Sequence, residues 1–206
     1  MKVIQIFKIA VLATVVLFSS CSKDEDTNPN ETGNPVIDDQ VTAENITYEA
    51  SGGFTYTDAA TSTAKSYTHL FVKAQYKDVS HIWQDTHYTY LAFYNTNATA
   101  AAEMITFVFL GKEFPKTGTY SIGPAGAIAM SGISASDKLL ANEVGIMVVG
   151  NGKITKRDAS VSLNITNDNG KIIIKNNGDI NVYDNLTGEL EGSCKNINLT
   201  RTTKKM

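Results

Sequence analysis

The strongest constraint lies in the last third of the chain, where apolar residues take every second place. Val161, Leu163 and Ile165 alternate with Ser160, Ser162, Asn164 and Thr166. Asn167-Asp-Asn-Gly170 breaks the pattern, and Ile172 and Ile174 resume it. Asn176-Asn-Gly178 breaks it again before Ile180 and Val182, and Asp184-Asn-Leu-Thr-Gly188 precedes a last segment ending in Ile197 and Leu199. A period of two places one face on a core and the other in water, as antiparallel sheets allow. Asn-Gly supplies the positive φ that a tight hairpin turn requires. The pattern predicts a four-stranded meander.

The middle of the chain is also β but is apolar on both parities. Strands are predicted over 67–76, 87–95, 104–110, 118–122 and 144–149. Thr106-Phe-Val-Phe-Leu110 has no polar face, which predicts a central strand covered on both sides. Gly123-Pro-Ala-Gly-Ala-Ile-Ala-Met-Ser-Gly132 reads as an irregular connection, and Ser136-Asp-Lys-Leu-Leu-Ala-Asn142 has room for one helical turn. No stretch sustains a helical period. Eight to ten strands joined by short turns predict an all-β domain. An antiparallel β-sandwich is the preferred architecture, and a closed, lipocalin-like β-barrel is the alternative, since both bury one face and protect their edges.

The first twenty residues have another character. Lys2 and Lys8 flank a start that leads into an apolar run over 9–18, then Ser19, Ser20 and Cys21. This is the layout of a signal peptide. The run is half the roughly twenty residues that a membrane-spanning helix needs. Residues 21–43 follow as a polar tether carrying Pro29 and Pro35, too poor in apolar groups to offset the entropy of ordering. The folded domain is expected over 44–206.

Leu17-Phe18-Ser19-Ser20-Cys21 resembles the bacterial lipobox, with Phe18 where leucine is usual. The resemblance implies cleavage before Cys21 and lipid on its thiol. Ser22-Lys23-Asp24-Glu25-Asp26 resembles the acidic export tag of surface lipoproteins of Bacteroidota, which implies the outer face of the outer membrane. Lys116-Thr-Gly-Thr-Tyr-Ser-Ile122, with Gly188-Glu-Leu-Glu-Gly192, is similar to small all-β lipoproteins of the same group. That likeness implies a fold rather than an activity.

Charge narrows the partners. Without Lys2 and Lys8, sixteen basic residues face twenty-one acidic ones, a net charge of −5. No basic stripe is present for phosphate contacts, so nucleic acid is not an expected partner. With Cys21 lipidated, Cys194 has no partner for a disulfide and is expected to pack in the core.

Few residues suggest chemistry. His81-Ile-Trp-Gln-Asp85-Thr-His87 gathers two histidines, a carboxylate and the single tryptophan, but its spacing matches no metal motif, and His69 stands apart. No Gly-x-Ser-x-Gly elbow is present. Glu189 and Glu191 could imitate a glycosidase pair but read more simply as exposed charges. The oxygen-rich turns 167–170 and 184–189 lack the EF-hand pattern and suit hairpin turns. The aromatic run is the main candidate. Tyr88, Tyr90 and Tyr94 share one face of a strand, with Trp83 just upstream, and exposed Tyr and Trp stack on sugars and anchor interfaces. The expected ligand residues are therefore Trp83, Tyr88, Tyr90, Tyr94, His81 and His87. The alternative for the tyrosines is the second face of a covered strand.

The sequence thus predicts a non-catalytic surface lipoprotein domain that binds a glycan or a partner protein, without metal or cofactor. A structural subunit of an outer-membrane complex or adhesive layer is the alternative, and a hydrolase ranks third.

Overall fold

A computed structural model describes residues 46–68, 70–78, 87–95, 104–125, 138–148 and 152–206. The chain divides into units Met1–Ile37 and Asp38–Met206, and every described residue lies in the second. The lipobox, the acidic tag, the 22–43 tether, His69, His81, Trp83 and Asp85 lie outside the described residues.

Twelve strands form the described fold, and no helix occurs among the described residues. They are β1 (Ile46–Asp58), β2 (Ala64–Thr68), β3 (Leu70–Asp78), β4 (His87–Asn95), β5 (Met104–Leu110) and β6 (Gly118–Gly123). Then come β7 (Glu143–Val148), β8 (Lys153–Ile154), β9 (Asp158–Asp168), β10 (Lys171–Asn177), β11 (Ile180–Asp184) and β12 (Leu190–Lys205). The protein is all-β, as expected.

Strand pairing runs β1-β3-β4-β5-β7 and then divides. One branch leaves the start of β7 through β6, β9 and β10, and the other leaves its end through β8 and β11. Both reach β12, which pairs with β1 from Tyr48↔Lys205 to Asp58↔Gly192. The ladder therefore returns to its first strand. A barrel and a sandwich whose layers share strands both accommodate this circuit. Closure satisfies the backbone donors and acceptors that an open edge leaves exposed.

The twelve strands exceed the eight to ten expected, because β1 was not foreseen and the strand expected over 67–76 divides between β2 and β3, and two further details differ from the sequence reading. The expected sheet was purely antiparallel, but β6 and β7 are parallel at Ser121↔Glu143 through Gly123↔Gly145. The 124–142 connection is long enough for the crossover that a parallel pair demands. Its far end is pinned where Arg157 donates to the buried Glu143 carboxylate at 2.6 and 3.1 Å and the Leu140 N–H donates at 3.0 Å.

The C-terminal meander also has three rows rather than four. Lys175 pairs with Asn198 and Ile180 with Cys194, so β10 and β11 lie end to end along one edge of β12. Residues 176–179 oppose 195–197, one residue more than their partners, which is a bulge. Asn176 makes the join. Its side-chain oxygen accepts from the Ile197 N–H at 2.8 Å and its amide donates to the Gly178 carbonyl at 2.6 Å. The side chain thus fills the place of a ladder bond, and the chain runs straight on instead of reversing.

The larger core cluster draws side chains from nearly every strand of the circuit, which marks its enclosed side. Phe93, Phe107, Ile146, Leu163, Ile174, Cys194 and Leu199 are fully buried there. Each such side chain contributes about 1.5–3 kcal/mol on leaving water. A smaller cluster of Tyr88, Val108, Leu139, Met147 and Ile154 covers the other face of β4, β5 and β7. Strand β5 is therefore buried on both sides from Ile105 to Phe109, as its unbroken apolar run requires.

Candidate functional site

At one end of the strands the β5–β6 connection frames a cleft of about 570 Å³. Gly111 turns the chain out of β5 with φ of 108°, a conformation that other residues reach only at a cost. Its N–H donates to the His87 carbonyl at 2.7 Å, and its own carbonyl accepts from Thr89 Oγ1 at 2.9 Å. The β4–β5 corner is thereby fixed. Further along, Asn167 of β9 donates from its side-chain amide to the Pro115 carbonyl at 2.8 Å, and the Asn167 N–H donates to Thr117 Oγ1 at 2.8 Å. These bonds hold the 111–117 segment across the strand ends.

The cleft has an apolar floor and a charged rim. Phe109 and Phe114 line it and are otherwise buried, while Leu110 is 40% exposed. Tyr120 of β6 stands edge-on to Phe109, with ring centroids 5.6 Å apart, and donates to the Lys116 carbonyl at 3.1 Å. Burial pushes the Tyr120 hydroxyl above its ordinary pKa. Lys112 and Lys116 are exposed, Glu113 and His87 are half-buried, and all four line the cleft.

Behind this floor lies an unusual cation. Arg201 of β12 is 2% exposed, and its guanidinium carbon sits 3.5 Å from the Tyr48 ring centroid and 4.3 Å from that of Phe114. One terminal nitrogen donates to the Gly170 carbonyl, and Nε has no hydrogen-bond partner among the described residues. No carboxylate pairs with it among the described residues. Burial lowers its pKa from the ordinary arginine value, but a guanidinium stays protonated at neutral pH. The charge is held by two aromatic faces and one carbonyl.

Of the expected ligand residues, His87 lines the cleft. Strand alternation sends Tyr88, Tyr90 and Tyr94 to the opposite face of β4 from His87. Tyr88 is 2% exposed and packs in the smaller cluster, with Tyr90 against it. The Tyr90 hydroxyl is buried with no hydrogen-bond partner among the described residues, and burial, with Tyr88 beside it, raises its pKa. Tyr94 is half-buried. The cleft is instead built from Lys112, Phe114, Lys116 and Tyr120, which the sequence reading passed over. The available signal was Gly111-Lys-Glu-Phe-Pro-Lys116, two lysines bracketing a phenylalanine between strands.

The remaining candidates have structural roles. Glu191 receives Lys153 Nζ at 2.7 Å beside Tyr56, while Glu189 precedes β12. Burial alone would lower the Lys153 pKa, but hydrogen bonds to Glu191 and Tyr56 reverse this and raise it. Asp184 accepts from the Leu186 and Thr187 N–H groups at 2.8 and 2.6 Å, an Asx turn. Among the described residues, no three of His, Cys, Asp and Glu converge as metal ligands. Cys194 is a free, fully buried thiol, its pKa pushed up to about 12 by burial. Comparison of the chain with protein-family models, with curated proteins and with solved structures gives no match.

Proposed function

We propose that this protein is a non-catalytic binding domain, held by lipid on Cys21 at the outer face of an outer membrane, that takes a glycan in the cleft beside His87. The observation that carries the reading is the cleft itself. A roughly 570 Å³ recess with a phenylalanine floor, a half-buried tyrosine and polar groups on its rim has the build of a ligand site. The lipobox and the polar tether support the location. A polar spacer of about twenty residues would hold such a site clear of headgroups.

A second reading, an accessory subunit of an envelope complex, draws on β2. That strand pairs only with β1 among the described residues, and Lys65, Ser66 and Thr68 are exposed along it. A partner strand could add there.

Two measurements test the proposal. Cells labelled with palmitate, with and without the signal-peptidase inhibitor globomycin, should show an acylated protein whose precursor accumulates under the drug, and Cys21→Ala should abolish the label. An unacylated secreted product would refute the anchor. A broad glycan array probed with residues 44–206 should give binding that Tyr120→Ala weakens. Silence across the array, with one stoichiometric protein recovered from membranes, would move the reading to the accessory subunit.

A further inference from the structure

We propose that Asn177-Gly178, between β10 and β11, is a site of spontaneous modification, at which asparagine becomes isoaspartate with loss of ammonia. The reaction needs only water. The glycine nitrogen gives up its proton and attacks the asparagine Cγ. The N–Cγ bond forms, the Cγ–Nδ2 bond breaks, and ammonia leaves with that proton. Water then adds to one carbonyl of the cyclic imide. Opening one way gives aspartate. Opening the other way gives isoaspartate, whose main chain runs on through Cβ and Cγ. A glycine in second place leaves the attacking nitrogen uncrowded.

Two such pairs lie among the described residues, and the fold treats them differently. At Asn169-Gly170 the attacking group is occupied. The Gly170 N–H donates to Asn167 Oδ1 at 3.0 Å, and Gly170 is buried. The Asn169 amide donates to Asp168 Oδ1 at 3.2 Å, and Arg201 donates to the Gly170 carbonyl. Attack there requires a local opening that breaks the first of these bonds. At Asn177-Gly178 both residues are exposed. Among the described residues nothing accepts from the Gly178 N–H, and the Asn177 side chain makes no hydrogen bond. Asn177 is the last residue of β10, and the ladder with β9 ends at its partner Ser162. Gly178 belongs to neither neighbouring strand. Asn151, which precedes Gly152, lies outside the described residues.

The fold also holds the reactive pair in place. Gly178 has φ of 93°, and a Cβ there would lie 2.9 Å from Val161 Cγ1, so any other residue is strained. The product falls on the join between β10 and β11. Asn176 closes that join through its amide to the Gly178 carbonyl at 2.6 Å, a bond that spans residue 177. Isoaspartate lengthens the main chain inside the span. It also places a carboxylate near Asp179, which pairs with Lys195 at 2.8 Å. Both changes work against the bulge that sets β11 on the edge of β12.

The test holds residues 22–206 at 37 °C and pH 8.0, native and in 8 M urea, while peptide maps follow isoaspartate at each asparagine. In urea the two described pairs should react at similar rates. In the native protein Asn177 should react roughly fivefold or more faster than Asn169, the factor that the net worth of one hydrogen bond gives. Asn177→Gln should escape the modification and unfold at the wild-type urea midpoint. Aged wild type, separated by its added negative charge, should unfold about 0.5 M lower. Native Asn169 keeping pace with Asn177 would overturn the site, as would Asn177 intact in the fold while it reacts in urea. Reaction at Asn151 with Asn177 untouched would overturn it too. An unchanged midpoint in the aged protein would overturn the loosening of the join.

Discussion

Four glycines separate backbone strain from steric closure of the sheet, and alanine at each gives a different expected cost. At Gly152 a Cβ meets nothing within 4 Å, so Gly152→Ala should be neutral or stabilise by about 0.4–1 kcal/mol through the unfolded chain. At Gly111 the space is also open but φ is 108°, so strain alone should cost about 1–2 kcal/mol. At Gly53 no left-handed φ is involved, but a Cβ would lie 2.2 Å from the Tyr67 carbonyl oxygen of β2. Forcing that contact apart should cost about 1–3 kcal/mol. Gly52 combines both, with φ of 94° and a Cβ 1.9 Å from the Asn198 carbonyl oxygen of β12. Its cost should approach the sum, about 2–5 kcal/mol. Equilibrium urea unfolding of residues 38–206 reads these directly. With m of about 2 kcal/mol/M, Gly52→Ala should lower the midpoint by about 1–2.5 M and Gly111→Ala by no more than about 1 M. If Gly52→Ala and Gly53→Ala unfold with Gly152→Ala, neither β12 nor β2 closes on β1 as described. If Gly111→Ala costs as much as Gly52→Ala, strain rather than closure explains the difference.

Three further outcomes are expected. Burial raises the Glu143 carboxyl, but hydrogen bonds from Arg157 and the Leu140 N–H outweigh it and leave the pKa below its ordinary value of 4.5. Its stabilisation is therefore complete above 4.5 and is lost as pH falls through the lower folded value, and Glu143→Gln, about 1–2 kcal/mol less stable at pH 7, should lose that part of the acid dependence; unfolding curves from pH 3 to 7 that stay parallel would refute this. Asn176→Ala leaves the Ile197 N–H without its 2.8 Å acceptor and should cost about 1–2 kcal/mol in urea, whereas an unchanged midpoint would mean the bulge holds itself. Cys194 should resist iodoacetamide in native buffer and react in urea only at the rate of global unfolding, and rapid native labelling would contradict its burial.

Much of the sheet was legible because its faces alternate cleanly. The rows at β9 to β12 follow from Val161, Leu163, Ile172 and Ile180, and the doubly covered β5 follows from Phe107 beside Val108. Strand β1 was missed because Ser51-Gly-Gly53 reads as a turn. In the fold those glycines lie where neighbouring backbones approach too closely for a side chain, which is a tertiary cause that local pattern does not carry. The Asn176 bulge was misread for the opposite reason. Asn-Gly favours a hairpin locally, but β12 offers a continuous edge, and pairing along it wins. The cleft escaped notice because 111–117 is polar and short, the ordinary look of a loop. Arg201 sits in Leu199-Thr-Arg-Thr-Thr203, a segment with the composition of a solvated strand end, and only the placement of Tyr48 and Phe114 encloses it.

The seam between β1 and β12 has a consequence for how the chain is made. The earliest described strand has β2 and β3 along one edge but takes its other partner from the last strand, and β10 and β11 depend on that same strand for one of their edges. Until roughly the final sixteen described positions leave the ribosome, the circuit has a gap that no other described strand spans. Trimming the tail should therefore strip one edge from β1, β10 and β11 at once and leave three strands open to stray pairing.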